Sequence, residues 1–129
     1  MTPAARVAAA IAVLDDVLAG EAAEKCLSRW ARGNRYAGSK DRAAVRDHVF
    51  DALRCKRSLA AIGGAMTGRG LMIGHIRSQG IDIDSIFGVG GYCPDALSGQ
   101  ELAAGQSPLS QAEQHDFPDW LWPVWCRDL

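Results

Sequence analysis

Apolar side chains recur at intervals of three and four residues along most of the chain, which is the spacing of one face of an α-helix. Thr2 can cap a first helix that has Pro3 at its first position and stops at Gly20. A second helix is predicted over Glu21–Arg32, with the Gly33–Asn34 pair as its break. Because β-branched residues are few and seldom alternate with polar ones, the pattern predicts an almost entirely α-helical fold.

The third predicted helix is the longest, with Ser39 as its cap and its end near Arg57. A short apolar segment and two glycines follow it, and Thr67 can cap the next helix, which Gly80 closes. A single turn is then predicted to begin at Asp82 or Asp84, before a glycine-rich loop. Ser98 and Ser110 each precede a glutamate by three residues, which is the spacing of a capping box and marks two short helices.

The glycines at 68, 70 and 74 come close to a dinucleotide-binding fingerprint. The third glycine is one position too late, however, and no predicted strand precedes the run, so we reject that interpretation. Gly70 and Gly74 are four residues apart on one helix, and we expect them to let a second helix approach closely.

A chain of 129 residues is long enough for one domain with a buried core, but too short for a binding domain and a complete nucleotide-dependent catalytic domain. The four cysteines are too far apart for a zinc ribbon or a redox motif, so we expect reduced thiols. No apolar run approaches the ~20 residues of a membrane-spanning helix. These features predict a soluble, cytoplasmic protein.

Charge is distributed unevenly along the chain. Residues 1–57 contain eleven basic and seven acidic side chains, a net charge of +4, whereas residues 58–129 contain three and eight, a net charge of −5. Between Lys25 and Arg57 there are ten basic side chains and three acidic ones. Such a local positive field attracts polyanions, although a charge run is often only a solvated surface.

The basic residues of the third predicted helix fall on one side. At ~100° per residue, its arginines lie within an arc of roughly 120°, while its aliphatic side chains turn toward the core. These arginines are Arg42, Arg46, Arg54 and Arg57. Tyr36 lies in a loop among basic residues and is a candidate for stacking on an unpaired base, whereas packing between helices explains Trp30 better. The predicted RNA-binding residues are Arg29, Arg32, Arg35, Tyr36, Lys40, Arg42, Arg46 and Arg57.

No pattern in the sequence predicts an active site. His48, His75 and His115 are widely separated and fit neither a metal site nor a catalytic triad. The acidic pairs Asp15–Asp16 and Asp82/Asp84 are typical of helix ends and solvated surfaces. We therefore predict no catalytic residue, metal ligand or bound cofactor in this chain.

The helix that opens with Asp41-Arg42 and closes with Leu53-Arg54 resembles the N-terminal domain of the Sun, or RsmB-type, family of RNA cytosine-C5 methyltransferases. The segment Pro118-Asp-Trp-Leu-Trp-Pro-Val-Trp125 is similar to the one that precedes the catalytic half of that family. The two motifs occur in the expected order, and together with the helical stretch of suitable length between them they cover nearly the whole chain. The glycine-rich stretch 63–74 departs from the family pattern.

The resemblance implies a NusB-like multi-helix bundle over residues 1–115, followed by the start of a linker at 116–129 that leads to a catalytic domain. It implies ribosomal RNA and that catalytic domain as partners, with S-adenosylmethionine bound by the parent protein and not by this part. Cys93-Pro94 superficially echoes the catalytic Cys-Pro pair of the family, but it lies in a glycine-rich loop, so we transfer no catalytic role to it.

Our main hypothesis is an RNA-binding domain of a methyltransferase that modifies cytosine in small-subunit ribosomal RNA. Two other functions compete with this hypothesis. The first is a stand-alone NusB-like adaptor that recruits a protein through its tryptophan-rich end, in antitermination or a related process. The second is a helix-turn-helix DNA reader, which needs a turn of three to four residues before its recognition helix. The connection from Asn34 to Gly38 is longer, so we expect RNA and not DNA.

Overall fold

The structure is a computed structural model that describes residues 1–104, and this part of the chain is helical without any strand. The predicted all-α class is therefore confirmed. The elements are α1 (Pro3–Leu18), α2 (Ala23–Gly33), α3 (Ser39–Arg54), α4 (Lys56–Gly63), α5 (Gly68–Ser78), a 3₁₀ turn (Ile83–Ser85) and α6 (Gly99–Ala104). None of these helices is both long and apolar enough to cross a membrane.

Local capping fixes several helix starts where the sequence predicted them. The Thr2 hydroxyl accepts the Ala5 N–H at 3.1 Å, and Pro3 takes the first position of α1. The Thr67 hydroxyl accepts the Gly70 N–H at 3.0 Å. At α6 the reciprocal capping pair forms between Ser98 and Glu101, with bonds of 2.8 and 3.2 Å. The second predicted capping box, at Ser110, and the tryptophan-rich segment lie outside the described residues.

The third helix differs from its prediction at both ends. Its cap is Gly38 and not Ser39, because the Asp41 carboxylate accepts the Gly38 N–H at 3.2 Å. The helix ends at Arg54, where Cys55 leaves helical geometry with φ −118° and ψ 29°. Arg57 consequently belongs to α4 and not to the row of arginines on α3.

The core forms around α1, which packs against α2, α3 and α5. Val7 and Leu14 of α1 are fully buried, while Ile11 and Leu18 lie at the edge of the core. Facing them are Val45 and Val49 of α3 and four consecutive buried residues of α5, from Leu71 to Gly74. Cys26 and Cys55 are buried in the same core, where they serve as small apolar side chains.

The helices α4 and α5 pack so closely that their backbones touch at three glycines. A Cβ on Gly74 would overlap the carbonyl oxygen of Leu59 and lie 2.9 Å from its Cα. A Cβ on Gly63 would overlap the carbonyl of Gly70, and one on Gly70 would overlap that of Ala65. The expectation that Gly70 and Gly74 permit a close helix approach is therefore confirmed, and this explains the glycine-rich stretch of the sequence.

Two arginines of α5 hold the last described helix in place. Arg69 forms an ion pair with Glu101 at 2.7 Å, donates to the carbonyls of Asp95 and Ala96, and lies over the ring of Phe87. Arg77 donates to the carbonyls of Ile62 and Glu101 at 2.8 Å each. The hydrogen bond from Arg69 lowers the pKa of Glu101 to about 2. These charge-assisted bonds connect α4, α5 and α6.

Replacing Gly74 with alanine should destabilise the protein by roughly 2 kcal/mol or more, because the new methyl group overlaps rigid backbone atoms of α4. Gly33→Ala is the matched control, since a Cβ there meets nothing within 4 Å. Urea unfolding followed by circular dichroism measures both changes. Equal stability of the two variants would contradict the close contact between α4 and α5.

The Arg69–Glu101 pair should make stability depend on pH at acidic values. Because the folded-state pKa of about 2 lies below the ordinary value of 4.5, the stabilising contribution is complete above pH 4.5 and disappears as the pH falls toward 2. Glu101→Gln should therefore reduce the free energy of unfolding by on the order of 2 kcal/mol at neutral pH, and this deficit should shrink on acidification. A deficit that is constant between pH 7 and pH 2 would contradict the ion pair.

Candidate nucleic-acid interface

The connection between α2 and α3, residues 33–38, is an ordered corner. The Asn34 side chain donates to the carbonyl of Trp30 at 2.8 Å, and the Tyr36 hydroxyl donates to the Asn34 side-chain oxygen at 3.0 Å. The backbone N–H of Ala37 donates to the carbonyl of Asn34 at 3.0 Å, and Ala37 is buried. These bonds place Tyr36 on the outside of the corner, with 69% of its surface exposed.

Asp41 ties this corner to the first helix. Its carboxylate accepts two bonds from Arg6 of α1, at 3.0 and 2.8 Å, besides the bond from the Gly38 backbone. The amino group of Met1 lies 3.5 Å from the same carboxylate. The bond from Arg6 and the backbone bond from Gly38 hold the pKa of Asp41 below its usual range. The carboxylate is thus charged and satisfied at neutral pH, and the start of α3 is fixed against α1.

Several of the predicted phosphate-binding arginines have carboxylate partners. Arg29 pairs with Glu21 and Asp16, and the bond with Glu21 raises the Arg29 pKa. Arg46 pairs with Glu24 of α2 through both guanidinium nitrogens, one of them at 2.8 Å. Exposed pairs of this kind contribute little to stability and exchange readily, but each carboxylate cancels part of the local positive field.

The remaining predicted cations gather at the corner. Within the part of the chain that the structure describes, Arg32, Arg35 and Lys40 are exposed and form no ion pair or side-chain hydrogen bond. One guanidinium N–H of Arg42 donates a hydrogen bond to the Ala37 carbonyl at 3.2 Å, and its other N–H donors are available. Fewer arginines of α3 are therefore available for phosphate binding than the sequence predicted, since Arg57 lies on α4 and Arg46 is paired with Glu24.

Two grooves flank Trp30, which is half-buried at the edge of the core. The smaller groove, about 230 Å³, lies between α2 and α3 and is lined by both arginines Arg42 and Arg46, by Glu24 and by Trp30. The larger groove, about 450 Å³, runs between the start of α1 and the corner. Its lining consists of Met1, Thr2, Ala5, Ala8, Ala9, Trp30, Asn34, Tyr36 and Tyr92.

Sequence reasoning missed part of this arrangement. Tyr92, in the glycine-rich loop, reaches the same groove as Tyr36, although 56 positions separate them in the numbering, and no local signal indicates this. Phe50 of α3 is half-buried beneath the guanidinium of Arg46, with 4.9 Å between the guanidinium carbon and the ring centre. Phe50 is therefore covered on that face by a cation–π contact.

The structure also brings together two histidines that no sequence pattern pairs. The rings of His48 on α3 and His75 on α5 meet edge to face, with their centres 5.6 Å apart. Burial lowers the pKa of both imidazoles, and for His48 the charge of His75 adds to this effect. Both rings are therefore neutral at physiological pH and act as packing groups between the two helices.

Metal-binding side chains do not cluster in the described part of the chain. Among residues 1–104 no group of three or more histidine, cysteine or acidic side chains is placed to hold a metal ion. Comparisons of the chain with protein-family models, with curated proteins and with solved structures found no match. Function must therefore be argued from the corner, its cations and the groove beside it.

Proposed function

We propose that this chain binds RNA through the α2–α3 corner, as the N-terminal, NusB-like domain of an S-adenosylmethionine-dependent methyltransferase of ribosomal RNA that modifies cytosine at C5. The observation that carries the proposal is the group of cations without carboxylate partners at residues 32–42, beside the exposed ring of Tyr36. The resemblance at Asp41-Arg42 and Leu53-Arg54 supplies the family; the first pair lies in the first turn of α3 and the second pair ends the helix.

Single-stranded RNA offers phosphates at regular intervals and bases whose faces are free to stack. Arginine binds phosphate through paired N–H donors, and a tyrosine ring stacks on any base. The phosphate contacts come from four cations, and the stacking contact comes from Tyr36. The four cations are Arg32, Arg35, Lys40 and Arg42. A duplex would present phosphates without exposed base faces, so the combination favours an unpaired segment of RNA.

In this proposal the described residues bind and the parent protein catalyses. The catalytic half would provide the cofactor pocket and the reactive cysteines, and no step of methyl transfer belongs to residues 1–104. The thiol of Cys93 accepts the Gly90 N–H at 3.0 Å inside the glycine-rich loop, and we give it no catalytic role. The function proposed for this domain is to hold the RNA substrate while a flipped cytosine is modified elsewhere.

The adaptor hypothesis retains one specific observation in its favour. Arg29 and Arg46 are paired with carboxylates, and such mixed charge beside an apolar groove also suits a protein partner. The two functions differ in their response to salt. RNA binding weakens steeply with added salt because counterions are released, whereas binding through apolar surface does not.

The variant Arg32→Ala/Arg35→Ala should bind a single-stranded RNA about tenfold or more weakly at low salt, and its log–log salt dependence should be flatter by about 1.4, since each lost phosphate contact removes roughly 0.7. Fluorescence anisotropy with a labelled oligonucleotide measures both quantities. Arg54→Ala is the control, because Arg54 is paired with Asp51 and lies about 18 Å along α3 from Arg42. Equal effects of the two variants would rule out the corner as the RNA-binding surface.

Removing the charge of Glu24 should strengthen RNA binding. Glu24→Gln releases Arg46 from its ion pair beside the corner, so we expect about twofold to fivefold tighter binding at low salt. Asp51→Asn is matched to it, because it releases Arg54 at the far end of the same helix and changes net charge equally. A gain of the same size from both variants would indicate a general charge effect and not a local site.

A further inference from the structure

The larger groove beside the corner is lined by aromatic rings and by small side chains. Ala5, Ala8 and Ala9 line it from one face of α1, which we call its floor, and leave space because their side chains are small. Its aromatic lining residues, which we call its walls, are Trp30, Tyr36 and Tyr92. A volume of about 450 Å³ lies within the ~300–1,000 Å³ typical of small-molecule sites.

The aromatic walls are open to a ligand. Tyr36 is 69% exposed and Tyr92 is 86% exposed, more than any other large apolar or aromatic side chain among the described residues. A tyrosine whose ring is exposed to water lacks the favourable free energy that burial of the ring would provide. The two rings therefore stand uncovered at the edge of an apolar floor, where a flat partner would bury both of them.

Asn34 gives the groove a polar group of defined orientation. Its amide donates one hydrogen to the Trp30 carbonyl and its oxygen accepts one hydrogen from Tyr36. An asparagine amide has two donor hydrogens and two acceptor positions, so one of each is left over. A donor and an acceptor side by side are the groups that recognise the edge of a nucleobase.

Charge favours the larger groove over the smaller one as the place for a polyanion. Among the described residues no carboxylate lines the larger groove, whereas Glu24 lines the smaller one. The cation Arg35 stands between the lining residues Asn34 and Tyr36 in the chain. A cation next to these lining residues is available to a phosphate that flanks a base in the groove.

We propose that this groove holds an unpaired nucleobase of single-stranded RNA, stacked against Tyr36 and Tyr92 above the alanine floor of α1, while Arg35 binds an adjacent phosphate. The inference rests on the proposed RNA-binding function and assigns its base-recognition site. This base site adds Tyr92 and the alanines of α1 to the proposed RNA interface, which otherwise consists of the basic residues and Tyr36 at the corner.

The test compares two labelled RNA strands with the same number of phosphates, one with bases and one in which abasic spacers replace them. The wild-type protein should bind the strand with bases about tenfold more tightly, because stacking is lost in the abasic strand. Tyr36→Ala/Tyr92→Ala should bind the two strands within twofold of each other. The Tyr→Phe pair at the same positions should keep the preference, since it retains both rings.

A second pair of variants tests the floor of the groove. Ala8→Leu fills the space beneath the proposed base, whereas Ala12→Leu adds the same atoms at an exposed position of α1 outside the groove. Only Ala8→Leu should reduce the preference for the strand with bases. If Ala8→Leu unfolds the protein, the tyrosine variants decide, because both rings are exposed and their removal leaves the core intact.

The outcomes separate this inference from the function on which it rests. Equal binding of both strands by the wild-type protein, with steep salt dependence, would leave RNA binding standing and overturn the base site. A preference that survives in both Tyr36→Ala/Tyr92→Ala and Ala8→Leu would also overturn it, since the bases would then be held elsewhere. Binding of neither strand at 50 mM salt would overturn the proposed function itself.

Discussion

The carboxylate of Asp41 is the contact on which the candidate site depends. It caps α3, accepts both bonds from Arg6 of α1 and lies near the amino group of Met1. These bonds fix the start of α3 relative to the start of α1, and the corner of residues 33–38 is held between them. The groove is the space that remains between α1 and this corner. Asp41, which the sequence analysis singled out as part of a motif, therefore has a structural role: its hydrogen bonds join the start of α3 to α1.

Charge counted along the sequence overstated the surface available to RNA. Arg29 and Arg46 belong to the basic half of the chain, but each is paired with acidic residues: Arg29 with Asp16 of α1 and Glu21, and Arg46 with Glu24 of α2. Arg32, Arg35, Lys40 and Arg42, which have no carboxylate partner among the described residues, are close together in sequence. These four cations lie at the α2–α3 corner and at the start of α3. The aromatic groove lies beside this corner, which joins electrostatic attraction to a surface for stacking.

The parts of the fold that the sequence predicted are those that depend on neighbouring residues. Thr2 with Pro3, Thr67, and Ser98 with Glu101 are caps whose partners lie within three positions, so spacing alone reveals them. Gly70 and Gly74 could be assigned to a close helix contact because their spacing places both on one face. The break at Cys55 was missed, since neither glycine nor proline marks it there.

The candidate site was predicted less completely because its geometry depends on residues distant in sequence. Tyr36 and the cations at 32, 35 and 40 were found from composition and loop position. The pairing of Arg46 with Glu24 and the position of Tyr92 follow from how helices and loops pack, and neither has a local sequence signal. A groove forms beside Tyr36 and Tyr92 because the α1 residues that line it with them have small side chains.

The α2–α3 corner and the groove beside it are the surface that we propose contacts single-stranded RNA. The most direct measurement is a titration of the isotope-labelled protein with a short single-stranded RNA, followed by backbone amide chemical shifts. We expect the largest shifts at residues 30–42, at the start of α1 and around Tyr92, with α4 and the far end of α3 unchanged. Shifts centred on α4 and α5, or no shifts at low salt, would contradict the account.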